Sequence, residues 1–362
     1  MSKRAALITA FNPSEFKGGI ETYTLHLMAL LKDRGMPCDL YCLDADRPVS
    51  SFHNSYLGDL YALGRRVFDR RNDYDLVIAN GFYGFGCFPP PVRTVNIFHA
   101  THKGFAGAIR EVVPHAQYVE WKCLWGDFCE SMSGHGRRKI AVSGSVRDEL
   151  QQEYGFSDIR LLHNGVDTGL FRKVDRAHAA GAWKIPDRVP VGLYVGRWDR
   201  LKGADLLETV MQARPDICWV IVLGTGSDRT SVPASENVIV LDQVGHELMH
   251  EIYSAADFLL FPSRYEGFGY VIIEAMACEL PVITTPVGIA KTICGEMPFK
   301  DLLLPDPRAA ADRIAGAAGA CIDRVLSDAE FRKRVSGEGR KRVEEDFSID
   351  RWKKDAAEVL GI

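Results

Sequence analysis

The chain is predicted to be an α/β protein built as two doubly wound domains, and three observations carry that prediction. Its 362 residues exceed what one hydrophobic core usually supports. Short β-rich apolar runs alternate with helical patterns almost throughout, as βαβ units with parallel sheets require. The alternation halts once, between about 164 and 190, and then restarts with the same rhythm.

In chain order, Ala5 to Thr9 reads as a first strand, followed by Gly18-Gly19 and a helix over about Ile20 to Arg34 carrying Leu25, Leu27, Met28, Leu30 and Leu31. Strands are expected at Cys38 to Leu43, Leu76 to Ala79 (ending at Asn80) and Val92 to Phe98, with His99 at the carboxyl end of the last. Lys139 to Val142 and Ile159 to Leu162 close the first half. Asn164-Gly165 is turn-forming and Pro186 and Pro190 are stiff, so this segment reads as a linker. The second half places strands at Val191 to Val195, Trp219 to Leu223, Val238 to Leu241, Phe258 to Phe261 and Pro281 to Thr284. The expected domains are 1–168 and 169–348. A final amphipathic helix, about Ile349 to Leu360, is expected to pack back on the first domain within a tail of 349–362. Ligands in such sheets sit at the carboxyl ends of strands, so a cleft between the two domains is the expected site.

Composition excludes several classes. Apolar residues make up 46% and charged residues 25%, which is ordinary for a globular protein and far from disorder. A formal net charge of −4 offers no whole-molecule reason to expect nucleic acid. The nine cysteines are scattered without zinc-like spacing and read as reduced, mostly buried thiols of a cytoplasmic protein. The start lacks a signal-peptide layout, and nothing approaches the length of a membrane-spanning helix. Lys103, Arg110, Lys122 and Arg137-Arg138-Lys139 read as a solvated face. The alternative is peripheral contact with an anionic membrane.

Four constellations can carry chemistry. Gly196-Arg197-Trp198-Asp199-Arg200-Leu201-Lys202-Gly203 follows a strand directly. Glycine lets backbone approach a diphosphate, while Arg197 supplies a planar fork and Lys202 a mobile point charge. Ser263-Arg264-Tyr265-Glu266-Gly267-Phe268-Gly269 follows another strand and opens a helix containing Glu274. Such glycines aim free N–H groups at an anion, and a partly enclosed Glu274 suits the two hydroxyls of a ribose. Gly18-Gly19 is a third approach point at a helix start, without the spaced three-glycine dinucleotide pattern. His99 falls where the first domain would meet the cleft. As part of His99-Ala100-Thr101-His102 it is poor evidence for zinc, since no third ligand is evident. Asp44-Ala45-Asp46 has the Asp-x-Asp form of metal-dependent sugar transferases of another fold, but reads as a solvated loop. Trp121 and Trp125, one helical turn apart, read as core rather than as a sugar platform.

Taken together these residues resemble the family-4 retaining glycosyltransferases of the GT-B fold, over nearly the whole chain. The likeness also includes Ala141-Val142-Ser143, Asn164-Gly165-Val166-Asp167, Leu223-Gly224-Thr225-Gly226 and Phe347-Ser348. It implies transfer of a sugar from a nucleotide-diphosphate donor, UDP-sugar before GDP-sugar, to a glycan, lipid-linked or small-molecule acceptor. No metal or other cofactor is implied. Arg197 and Lys202 would hold the diphosphate, Glu274 the ribose, and Glu266 with the Gly267, Phe268 and Gly269 backbone the donor sugar and phosphates. Gly19 would approach the diphosphate from the facing domain, and His99 would lie near the transferred sugar. Retention also follows from the resemblance. A front-face route, with Glu266 positioning the sugar, is preferred here over Glu266 as a nucleophile. The rival readings are a nucleotide-sugar epimerase and a catalytically inactive sugar-nucleotide-binding protein of the same fold.

Overall fold

In a computed structural model of the chain, residues 3–15, 18–43, 54–91, 93–242 and 244–362 are described. The chain divides into two compact units, Met1–Asn164 with Trp352–Ile362, and Gly165–Arg351. Asp44-Ala45-Asp46 lies outside the described residues.

The first unit is built on six parallel strands: β1 (Ala5–Ile8), β2 (Cys38–Tyr41), β3 (Leu76–Asn80), β4 (Thr94–Phe98), β5 (Arg138–Ala141) and β6 (Ile159–Leu161). Their order is β2-β1-β3-β4-β5-β6. β1, β3 and β4 are buried along their whole length, so β1 and β3 as far as Ala79 read as unbroken apolar runs, while β4 buries Thr94 and Asn96 among its apolar residues. The helix Gly19–Asp33 buries Tyr23, Thr24, Leu27, Leu30 and Leu31, a stripe at helical spacing. Trp125 is buried with Leu60, Phe82, Phe85 and Cys129, and Trp121 packs against that cluster, so both tryptophans serve the core.

The final helix, Ile349–Leu360, enters this unit at Trp352. Trp352 is buried edge-on to Tyr23, with ring centroids 5.3 Å apart. Lys353 pairs with Asp33 at 3.1 Å, and Arg93 donates to the carbonyls of Leu360 and Gly361 at 2.7 and 2.6 Å. Capture of those terminal carbonyls satisfies acceptors that a helix end leaves open.

The second unit has five parallel strands: β7 (Val191–Gly196), β8 (Cys218–Leu223), β9 (Val238–Leu241), β10 (Phe258–Phe261) and β11 (Val282–Thr284). Their order is β11-β10-β7-β8-β9. The segment expected to be a bare linker instead holds the helix Arg176–Trp183. Asp175 caps it by accepting from the His178 N–H at 2.8 Å. Arg176 forks onto Asp257 at 2.6 and 2.9 Å, and Trp183 Nε1 donates to Glu251 at 2.8 Å. The sequence signal was masked because the partners lie 68 to 81 residues away.

All nine cysteines are free thiols. Among the described residues no helix is long and apolar enough to cross a membrane. The basic residues proposed as one face do not form one. Lys103 follows the carboxyl end of β4 and pairs with Asp127 at 2.6 Å, whereas Arg137-Arg138-Lys139 lies at the amino end of β5, with Arg137 buried.

Candidate functional site

Strand order decides which loops come together. In the second unit β7, β8 and β9 progress to one side, and the chain then returns to place β10 on the other side of β7. The order therefore reverses between β7 and β10, and ligand crevices in open α/β sheets form outside the carboxyl ends at such a switch point. The loops following these two strands are the two glycine-bearing motifs singled out from sequence.

The loops are stitched to one another. Arg264 N donates to the Leu201 carbonyl at 2.7 Å, and its guanidinium forks onto Asp205 at 2.6 and 2.8 Å. Tyr194, from β7, donates its hydroxyl to the Arg197 carbonyl at 2.6 Å. At their closest approach the loops admit no side chain. Gly203 has φ +78°, and a Cβ there would lie 2.1 Å from the Pro262 carbonyl oxygen.

Across this junction Lys202 Nζ donates to Glu266 Oε1 at 2.6 Å, and the same oxygen accepts from Ser263 Oγ at 2.8 Å. The two charged side chains are only 19% and 10% exposed, so this pair is largely shielded from water. Arg197 is the more exposed cation, and its Nε is held by Asp199 at 2.8 Å. Beyond Glu266, Phe268 is buried and Gly269 takes φ +97° at the N-cap of the helix Tyr270–Ala277. That left-handed geometry starts the helix without a capping side chain, and the Ile272 N–H turns back to the Gly269 carbonyl at 3.1 Å.

Glu274 is buried, as its place beyond the first helical turn suggested. Its Oε1 meets His246 Nε2 at 2.8 Å, and its Oε2 accepts from the Tyr253 hydroxyl at 2.9 Å. Each carboxylate oxygen retains acceptor capacity beyond one bond. Burial, and next the charge of Glu274, push the Tyr253 phenol well above its ordinary range, so it remains a donor. His246 and Tyr253 were not found from sequence. Nothing in their local pattern separates them from any other histidine on a loop or tyrosine on a helix.

In the first unit the order reverses between β1 and β3. Asn80 closes β3 there, and its amide nitrogen donates to Thr24 Oγ1 at 2.9 Å and to Thr9 Oγ1 at 3.3 Å. Thr24 donates its own proton to the Ile20 carbonyl, so its oxygen is the acceptor. Asn80 Oδ1 therefore faces His99, whose Nε2 donates to it at 3.0 Å. That network sets the tautomer: His99 carries its proton on Nε2 and a lone pair on Nδ1. The imidazole packs edge-on to Tyr23 at 4.7 Å, and burial pushes its pKa down to about 3, so it is neutral at physiological pH.

His102 turns to other partners. Its backbone N–H and Nδ1 reach the two oxygens of buried Glu130 at 2.8 and 2.9 Å, and Glu130 also accepts from the Tyr154 hydroxyl. The two histidines thus do not converge, and among the described residues no three His, Cys, Asp or Glu side chains form a metal-binding group. Gly19 opens the helix Gly19–Asp33 with Gly18 extended at its N-cap. Asn80 was read only as a strand end, and its role depends on β1 and β3 being neighbours.

Comparison with known proteins agrees with this architecture. Residues 17–170 match the model described as Glycosyltransferase Family 4, and residues 189–318 match Glycosyl transferases group 1. The chain is 26% identical to the alpha-maltose-1-phosphate synthase of Mycobacterium tuberculosis, over 99% of this chain and 98% of that protein. It is 34% identical to a D-inositol 3-phosphate glycosyltransferase of a Mycobacterium species, over 36% of this chain and 33% of that protein. Among solved structures it resembles a sucrose-phosphate synthase from Thermosynechococcus elongatus with a TM-score of 0.78 at 23% identity, covering 99% and 98% of the two chains. With two switch-point sheets, stitched glycine loops and family matches to both halves, the chain belongs to the family-4 (group 1) glycosyltransferases of the GT-B fold.

Proposed function

We propose that this glycosyltransferase takes its sugar from a nucleotide-diphosphate donor, UDP-sugar before GDP-sugar, with retention and without a metal. The observation that carries the reading is the Lys202–Glu266–Ser263 cluster at the β7/β10 switch point. A diphosphate at this position needs mobile positive charge, and Lys202 has it, held by a carboxylate until a ligand arrives. On donor binding Lys202 Nζ turns to a phosphate oxygen, and Arg197 supplies a second contact. Glu266, relieved of its cation but still held by Ser263, accepts from a hydroxyl of the donor sugar. The Gly267, Phe268 and Gly269 backbone offers N–H donors to the phosphates, where fixed dipoles stabilise developing negative charge. Glu274, oriented by Tyr253 and His246, accepts from the ribose.

On the first unit, Gly19 is proposed to approach the diphosphate and His99 to meet the transferred sugar. A neutral His99 accepts a hydrogen bond from a sugar hydroxyl on its Nδ1 lone pair and carries no charge. The route is front-face: the leaving phosphate takes the acceptor proton on the side it departs from, and Glu266 positions rather than attacks. The relatives are named for a maltose 1-phosphate product and an inositol 3-phosphate substrate, which favours a small-molecule acceptor over a polymeric or lipid-linked one.

The test is a thermal-shift screen of UDP-, GDP- and ADP-sugars against the native protein and Lys202→Ala. A ligand at 100 times its Kd stabilises the native state by ~2.7 kcal/mol, and the variant should lose most of that shift. Silence toward every nucleotide-sugar would sink the reading. A covalent glycosyl adduct on Glu266 trapped from the native enzyme would overturn the front-face route alone.

A further inference from the structure

A second polar concavity lies in the first unit, away from the edge that carries Asn80 and His99. It sits at the amino ends of β4, β5 and β6 and has a volume of about 510 Å³. β4 runs between the two edges, so they are separated by roughly 15 Å of strand. The size falls within the range of small-molecule pockets.

Four cations line it: Arg137, Arg138, Lys139 and Arg160. Arg137 is 5% exposed, and its Nη atoms reach the Gly84 and Cys87 carbonyls at 2.8 and 2.9 Å and Asn96 Oδ1 at 3.4 Å. Among the described residues its Nε has no hydrogen-bond partner and the guanidinium forms no ion pair. Burial lowers its pKa only to about 10, so the guanidinium is charged at neutral pH. Arg138 and Arg160 are exposed to the concavity, and neither forms an ion pair among the described residues. Lys139 Nζ donates to the Arg137 carbonyl at 3.1 Å, which leaves it further donors. Two carboxylates, Asp158 and Glu358, line the same space and are likewise unpaired. These exposed side chains are held by no ion pair among the described residues, so a ligand entering the concavity displaces only water from them.

We propose that this concavity binds a small phosphorylated sugar or polyol, separate from the donor site. Planar guanidinium forks match the oxygens of a phosphate monoester, and the uncompensated charge of Arg137 adds long-range attraction. Asp158 and Glu358 repel an anion but accept from hydroxyls, so the pair selects a hydroxylated ligand over bare phosphate. Glu358 lies on the exposed side of the final helix, whose Trp352, Ala356, Ala357 and Leu360 are buried and whose last carbonyls accept from Arg93. A ligand bridging Arg138, Arg160 and Glu358 would span the amino ends of β5 and β6 and the final helix, at the opposite edge of the sheet from Asn80 and His99.

The test is calorimetric titration of the full chain with glucose 6-phosphate, glucose and inorganic phosphate, alongside vesicles containing phosphatidylinositol 4-phosphate. Arg138→Ala/Arg160→Ala, Lys202→Ala and Glu358→Ala are compared, all at exposed or loop positions. The expected result is glucose 6-phosphate binding that survives Lys202→Ala and weakens at least about tenfold in the double arginine variant. Glu358→Ala should weaken glucose 6-phosphate but not inorganic phosphate. Vesicle binding lost in the double variant, with free glucose 6-phosphate silent, would support the site and place the phosphate on a lipid headgroup. No binding of either kind, or binding abolished by Lys202→Ala and kept by the double variant, overturns the proposal. Because Lys202→Ala tests the donor site separately, failure of one site does not read as failure of the other.

Discussion

Gly203→Ala tests whether the junction of the two glycine loops is what builds the proposed donor site. The new Cβ would sit 2.1 Å from the Pro262 carbonyl oxygen and 2.7 Å from its carbon, both backbone atoms that cannot rotate away. Residue 203 also takes φ +78°, a left-handed conformation that costs an alanine ~1–2 kcal/mol. Relieving the overlap requires the 196–203 and 262–269 loops to part, and overpacking of this kind costs typically 1–3 kcal/mol. The sum is ~3 kcal/mol, or about 6–12 °C in the melting temperature of a unit this size. Gly226→Ala is the internal control. It has φ +84° but nothing within 4 Å of its Cβ, so it bears the conformational cost alone. Calorimetric melting of both variants, followed by hydrogen exchange across the second unit, measures the difference. Gly203→Ala should be the less stable by ~1–3 kcal/mol and should lose the donor-induced thermal shift, because Lys202 moves with its neighbour. Equal melting temperatures would refute the close-approach argument.

Other consequences can be checked with equal directness. The depressed pKa of His99 means the folded protein resists protonating it while the unfolded chain binds a proton below ~6.5. His99 therefore contributes a loss of stability on acidification from ~6.5 toward about 3, and none above neutrality. Nitrogen-15 NMR should find a neutral ring protonated at Nε2 at pH 5; an imidazolium signal there would contradict the depressed pKa, and a ring protonated at Nδ1 alone would contradict the Asn80 network. Glu274→Ala should orphan the buried Tyr253 hydroxyl and lower stability by ~1–3 kcal/mol. It should also weaken an intact nucleotide donor more than a 2′,3′-dideoxy analogue, and an equal loss for both would remove Glu274 from the ribose. Turnover in the presence of a chelator should match turnover without it, whereas loss restored by Mg²⁺ or Mn²⁺ would end the metal-independent proposal.

Much of the fold could be read in one dimension. Buried parallel strands are contiguous apolar runs, so β7, β10 and the final helix fall within a residue or two of where the pattern placed them. Glycines feeding a helix start announce their backbone geometry locally, and the loops around Gly203 and Gly269 were found that way. The helix Arg176–Trp183 was missed because its stabilising partners, Asp257 and Glu251, are remote in sequence. The spread of Lys103 and Arg137 to opposite ends of parallel strands was hidden for the same reason: adjacency in sequence says nothing of which edge a residue occupies.

Residue chemistry by itself determined that cations, glycines and carboxylates suited to a nucleotide-diphosphate sugar are present, and in which loops. Only the tertiary structure decided which of them meet. The return of β10 to lie beside β7 brings Lys202 to Glu266 and Arg264 to Asp205, and the pairing of β1 with β3 brings Thr9 to Asn80 and so sets the proton on His99. Strand order arises from packing free energy summed over the whole sheet. No local stretch of sequence encodes it, and within each unit the candidate residues gather where that order reverses.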